Sequence, residues 1–429
     1  NRVENRVEHA LRLLDSGFNF DIDERYQFDR RDAPWITSTP AMDELWRQRV
    51  KNDYLSLKIS GKTSDEITKT LSDRYRQIKR RVHQFTNQDV LTIFANAYLA
   101  SVDPHSRYLS PRARDNFKIR MSLSLEGIGA VLRSDSDYTR VLRVVPGGAA
   151  DIAGDLKAGD HIIGVGQAED EPMVDVIGWR LDDVVALIRG PKDTLVRLEL
   201  IPTGKGPDAN SKIIRITRDK IKLKEQAAKI SIIEIKRLEQ PVRIGVIQIP
   251  TFYIDFEGRS RGDSDYRSTT RDTRKLIDEL KFSNVDGLVI DLRGNGGGAL
   301  TEAISLSGLF ISSGPIIQIR DARGRIRPRK DPDKGIAYNG PLAVLVDRES
   351  ASASEIFAGA IQDYRRGLII GEPTFGKGTV QNLIDLDRYS EDDSPVGQLK
   401  ITTAQFFRID GNSTQHRGIV PDIVLPTSV

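Results

Sequence analysis

Gly287-Leu-Val-Ile-Asp-Leu-Arg-Gly-Asn-Gly-Gly-Gly-Ala-Leu300 is the stretch on which the reading of the fold turns. A short apolar run ends in Asp291, a loop carries Gly294, Gly296, Gly297 and Gly298, and an apolar helical pattern follows over 300–311. Strand, glycine loop and helix in that order make a unit of an α/β layer. Working outward, similar apolar runs predict strands at 244–249, 316–320, 342–346 and 368–371, and helical periodicity predicts helices at 270–280 and 354–364. Residues 221–429 are therefore expected to form an α/β domain with a largely parallel sheet, with polar loops at 255–268 and 321–336.

Upstream the texture differs. Residues 119–220 hold short β-like runs at 127–132, 139–145, 162–165, 195–201 and 212–217. One helix, 181–188, carries Leu181, Val184, Val185 and Ile188 on one face. Residues 1–118 read as helical. Thr63 and Glu66 make a capping box ahead of Ile67, Leu71, Tyr75, Ile78 and Val82. A second helix is expected over 87–100, and the Asp103-Pro104-His105 turn and Pro111 close the region. The whole is predicted to be multidomain α+β.

The 429 residues balance 64 Lys+Arg against 61 Asp+Glu, which argues against a protein that mainly wraps nucleic acid. No run approaches the ~18 apolar residues a membrane span needs. There is no cysteine, so disulfides, thiolate metal sites and a Cys nucleophile are excluded. No His/Asp/Glu cluster has metal-ligand spacing, and no metal or cofactor is expected. The chain begins at Asn1 without Met or a signal-peptide apolar core, and reads as a processed chain or a fragment.

Three loops carry candidate chemistry. Ser350-Ala-Ser352-Ala353-Ser354-Glu355 joins a strand to a helix, where a hydroxyl can be presented beside a helix N-terminus; equally, these serines can simply cap the helix. A nucleophilic serine needs a base. Of five histidines only His416 falls in 221–429, whereas Lys377 sits between Gly376 and Gly378 after the 368–371 strand. To act as base, its pKa must fall by about 3 units from ~10.4, a cost of about 4 kcal/mol that burial can impose. Gln381, four residues on, shares a face with it in strand or helix. An ordinary loop lysine is the rival reading. The 291–299 loop can converge backbone N–H groups on an oxyanion. Gly294-x-Gly296-x-x-Ala299, with Asp321 further on, also fits a dinucleotide fingerprint.

Other signatures are weaker. Gly258-x-Ser260-x-Gly262 lacks the strand and helix an esterase elbow needs and reads as a flexible loop. No Ser-x-x-Lys or Walker A loop occurs, and the basic run 323–330 reads as solvated. Asp363 reads as structural, and Glu355 as a carboxylate placed for the helix dipole.

Together, 121–132, 291–300, 347–357, 371–381 and 413–426 make the chain similar to the tail-specific branch of the C-terminal processing peptidases. The resemblance implies an N-terminal helical region, a PDZ domain and a crotonase/ClpP-like α/β serine peptidase core. It implies Ser352 as nucleophile, Lys377 as base, Gln381 as its orienting amide, and Ala353 with Gly297 or Gly298 as oxyanion donors. It also implies that Leu125, Glu126, Gly127, Ile128 and Gly129 hold a substrate's terminal carboxylate, the tail adding as a strand beside helix 181–188. Protein substrates held by nonpolar C-terminal tails, an envelope adaptor protein and a Gram-negative periplasmic setting follow from the same resemblance, with no nucleic-acid partner. The alternative is a non-catalytic PDZ scaffold with an inactive protease-like domain.

Overall fold

The computed structural model describes residues 2–205, 210–236, 241–333, 335–391 and 394–426. The chain separates into two compact units, 1–93 and 94–429. In the first, helices Arg2–Ser16, Thr39–Ile59 and Ser64–His83 enclose a core of Val7, Leu14, Val50, Ile67, Leu71 and Tyr75. The third begins at the expected capping box: Thr63 N–H donates to Glu66 at 2.9 Å, and Glu66 N–H to Thr63 Oγ1 at 3.4 Å. Such a cap contributes about 1 kcal/mol.

The β-rich module is a five-stranded antiparallel path ordered Ala130–Asp135, Tyr138–Val144, His161–Gly166, Leu195–Ile201, Lys212–Thr217. Helix Leu181–Ile188 closes its core with Val184 and Ile188. Strand Ala130–Asp135 lies at the sheet's edge, with that helix packed against it.

The third region is built on the sheet predicted from 287–300. Strands Val242–Gln248, Gly287–Asp291, Leu342–Val346, Leu368–Gly371 and Ile423–Val424 run parallel, with Lys229–Ile235 antiparallel at one edge. Ile247, Leu288, Ile290, Val344 and Ile369 bury one continuous core against helices Thr269–Phe282, Leu300–Gly308 and Ala353–Asp363.

Several expectations change here. Strand Pro315–Asp321 is not in the parallel sheet; it pairs antiparallel with Ile326–Lys330 and with Gln398–Phe407 in a second sheet. The basic segment read as loop is that exposed hairpin strand, and 256–261 is a short helix capped by Asp255. Strands Thr379–Asp385 and Gln398–Phe407 pair with each other, and periodicity does not mark them because polar residues interrupt their apolar positions. Arg107–Leu109, within the stretch read as helical, adds to Gln398–Phe407.

Candidate active site

Ser352 ends the turn after strand Leu342–Val346 and stands at the N-terminus of helix Ala353–Asp363. Its backbone is left-handed, at φ 57° and ψ −107°. A non-glycine residue there costs about 1–3 kcal/mol and persists only where its surroundings impose it. Three bonds impose it here. Ser350 Oγ donates to Leu292 O at 2.8 Å, Ala351 N–H to Asn295 O at 3.0 Å, and Ser354 Oγ to the same oxygen at 2.8 Å. The serines at 350 and 354 thus fasten the turn to the glycine loop, while Ser352 stays half-buried at the cleft.

The glycine loop is itself pinned. Asn295, wholly buried, donates Nδ2 to Ile249 O at 2.8 Å and accepts Gly297 N–H on Oδ1 at 2.9 Å. Gly297 N–H is therefore committed, whereas among the described residues no acceptor takes the N–H of Gly298. Ala353 N–H, in the first helical turn, has no intrahelical acceptor. Gly297 adopts φ 102°, and a Cβ there would lie 2.8 Å from Ala351 O and 3.0 Å from Ser352 Cβ. Gly297→Ala should therefore push the serine turn aside and cut turnover by about 10²-fold or more, read as kcat on a fixed protein substrate. A variant with unchanged kcat would show that this approach is not needed.

Lys377 enters the same cleft from the loop before strand Thr379–Asp385. Its Nζ donates to Gln381 Oε1 at 2.6 Å. Burial, reinforced by the charge of Lys400, pulls the ammonium down to about 8, against the opposite pull of Glu355 and Asp103. Ser352, Ala353, Gly297, Gly298, Lys377 and Gln381 all line one cavity of about 710 Å³, and no carboxylate or histidine lines it among the described residues. His416 instead contributes its backbone N–H to Gly376 O at 2.9 Å.

Glu355 does more than face a helix dipole. Its Oε2 accepts Ser352 N–H at 2.6 Å and Lys377 N–H at 2.9 Å. Its Oε1 accepts Thr374 Oγ1 at 2.8 Å and Gly376 N–H at 2.7 Å. One buried carboxylate thus ties the serine turn to the lysine loop. Burial pushes its carboxyl up, against those hydrogen bonds. A capping-box position in the sequence was the available signal, but the bonds to residues 374–377 were not readable from it. Asp363 pairs with Arg408, a structural contact between helix and second sheet.

The dinucleotide alternative loses its geometry. Asp321 lies in the second, antiparallel sheet and takes Arg325 Nε at 2.8 Å, instead of ending a neighbouring parallel strand. In the β-rich module, Leu125, Glu126 and Gly127 are in strand Ser124–Gly127, paired with Asp219–Lys222. Only Ile128 and Gly129 form the bend, their carbonyls accepting Ala150 N–H and Val145 N–H, both at 2.8 Å.

Comparisons with known proteins agree with this architecture. Peptidase family S41 matches residues 243–425, the tail specific protease N-terminal domain 1–112, and the PDZ domain 116–201. By fold and domain order the molecule is a PDZ-bearing peptidase-type protein, and the chain belongs to the C-terminal processing peptidase family. It is 44% identical over 422 residues to the tail-specific protease of Haemophilus influenzae, covering 98% of this chain and 58% of that protein. It is 32% identical over 367 residues to the carboxy-terminal processing protease CtpA of Bacillus subtilis, covering 85% and 70%. Among solved structures, the photosystem II D1 C-terminal processing protease aligns at 29% identity and a TM-score of 0.43, covering 78% of this chain and 81% of that one. The chain thus spans a little over half of the Haemophilus relative. No described helix is long and apolar enough to cross a membrane.

Proposed function

We propose that this chain is a serine endopeptidase that selects proteins by nonpolar C-terminal tails and cuts them with a Ser352/Lys377 dyad. The observation that carries the reading is the lysine. It is an amine drawn down to about 8 by burial, held by Gln381 in the cleft that Ser352 also lines. A solvated loop lysine would show neither feature.

Neutral Lys377 takes the proton of Ser352 Oγ as that oxygen bonds to the scissile carbonyl carbon. Ala353 and Gly298 N–H groups receive the oxyanion, the oxygen that gains the carbonyl electron pair. The ammonium then protonates the leaving nitrogen as the C–N bond breaks, which leaves an acyl-Ser352. Water repeats the sequence: Lys377 takes its proton, the ester C–O bond breaks, and Ser352 recovers its proton.

The PDZ module supplies selection. Its edge strand Ala130–Asp135 offers unpaired backbone groups beside helix Leu181–Ile188, the setting for strand addition by an extended tail. Ile128 and Gly129 N–H groups are the candidates for the terminal carboxylate. An adaptor and an envelope setting rest on the family alone and belong to the same proposal.

The test is incubation of the chain with an unfolded protein ending in apolar residues, beside the same protein ending in acidic ones. Cleavage of the first in clear preference to the second is expected. Tail binding without any cleavage would favour the inactive scaffold.

A further inference from the structure

The turn Asp103–Ser106 reads in sequence as the end of a helical region, yet it packs on the peptidase's second sheet. Arg107–Leu109, which follows it, pairs with Gln398–Phe407, setting Arg107 opposite Lys400. Thr402, two residues on, donates its N–H to Ser106 Oγ at 3.1 Å and its hydroxyl to Asp103 Oδ2 at 2.8 Å. Ser106 Oγ donates to the same Oδ2 at 2.6 Å. Toward the cleft, Gln381 Nε2 donates to Thr402 Oγ1 at 3.1 Å and to Thr379 Oγ1 at 2.9 Å, and Gln381 Oε1 accepts Lys377 Nζ at 2.6 Å.

These bonds have a direction. A carboxylate can only accept, and a threonine hydroxyl has one proton. Burial raises Asp103, but the bonds from Ser106, Thr402 and the His105 N–H together outweigh it and hold the carboxyl below its usual value. Thr402 therefore gives its proton to Asp103 and can only accept from Gln381. Gln381 must then turn its NH2 to Thr402 and its oxygen to Lys377. With the amide reversed, an NH2 would face the amine, and the lone pair of a neutral Lys377 would be drawn to Gln381 and away from the serine hydroxyl.

We propose that Asp103, through Thr402 and Gln381, is a positioning residue that fixes the amide so that Lys377 keeps its lone pair for Ser352. The inference rests on the dyad reading above. Asp103 and Thr402 touch no substrate in this scheme; they act on the orientation of the base.

The experiment measures kcat, KM and melting temperature of the full chain on one tail-bearing unfolded protein. It compares wild type, Ser352→Ala, Thr402→Val, Thr402→Ser and Asp103→Leu. Thr402→Val keeps the side chain's shape and removes the relay; its kcat should fall by about 10²-fold, as for a misplaced catalytic group, with KM within about twofold. Thr402→Ser restores the hydroxyl and should recover most of that loss. Asp103→Leu should lose kcat as Thr402→Val does, with its pH limb also displaced downward, because the Asp103 charge that raises the lysine is gone. Wild-type kcat in Thr402→Val overturns the proposal. So does equal loss in the valine and serine variants accompanied by a lowered melting temperature, which would mark a packing role. If wild type does not cleave, or Ser352→Ala does, the dyad reading itself fails and takes this inference with it.

Discussion

Replacing Ser352 by alanine is expected to leave a folded protein that still takes up a tail peptide and cleaves nothing. The bonds that fasten its turn come from Ser350, Ala351 and Ser354 to Leu292 and Asn295, and the Ser352 side chain adds a helix-capping contact to the Glu355 N–H. The backbone bond from Ser352 N–H to Glu355 survives the change. Melting should therefore move little, while turnover falls by about 10⁴-fold or more, the loss typical of a deleted nucleophile. Turnover within tenfold of wild type would exclude Ser352 as the attacking group.

The second large effect concerns Lys377 and separates activity from stability. The amine must be neutral to accept the serine proton. Activity is thus expected above its pKa of about 8 and should be lost tenfold per pH unit below it. Groups facing the lysine shape this limb: Lys400 from strand Gln398–Phe407 lowers it, and Glu355 and Asp103 raise it. A kcat/KM profile flat from pH 6 to 9 would rule out a lysine base.

Stability runs the other way. The folded pKa lies below that of an unfolded lysine, so the native state binds fewer protons between the two values. The burden of burying the ammonium is present in full below about pH 8 and is relieved as pH rises toward the unfolded value. Lys377→Met should then be inactive yet melt higher than wild type at pH 7, with the gain shrinking as pH rises from about 8 to 10.5. An inactive variant that melts lower at pH 7 would show that the bond to Gln381 outweighs the desolvation.

This opposition has a general cause. A group with its pKa displaced by burial stores an unfavourable interaction that the rest of the fold must offset. Here the offset is visible around the lysine. Glu355 gathers the Thr374 hydroxyl and the backbone N–H groups of Gly376 and Lys377 onto the serine turn, and Gln381 is braced by Thr379 and Thr402.

Much of the fold follows from local pattern. Strands at 287–291, 342–346 and 368–371 and the capping box at Thr63 and Glu66 lie where periodicity and capping chemistry put them, since burial on a strand or at a helix end leaves its mark within a few residues. The order of the serine, glycine and lysine loops was equally legible, because each ends a parallel strand, where such sheets collect their chemistry. What needed the folded chain was every pairing across distance. The placing of Pro315–Asp321 in a second sheet, the four bonds of Glu355, the commitment of Gly297 N–H to Asn295, and the contact of Asp103 with Thr402 across 299 residues of sequence are of this kind. Periodicity records how buried a side chain is and on which face. It does not record the distant partner, which is chosen by packing and hydrogen-bond satisfaction over the whole core.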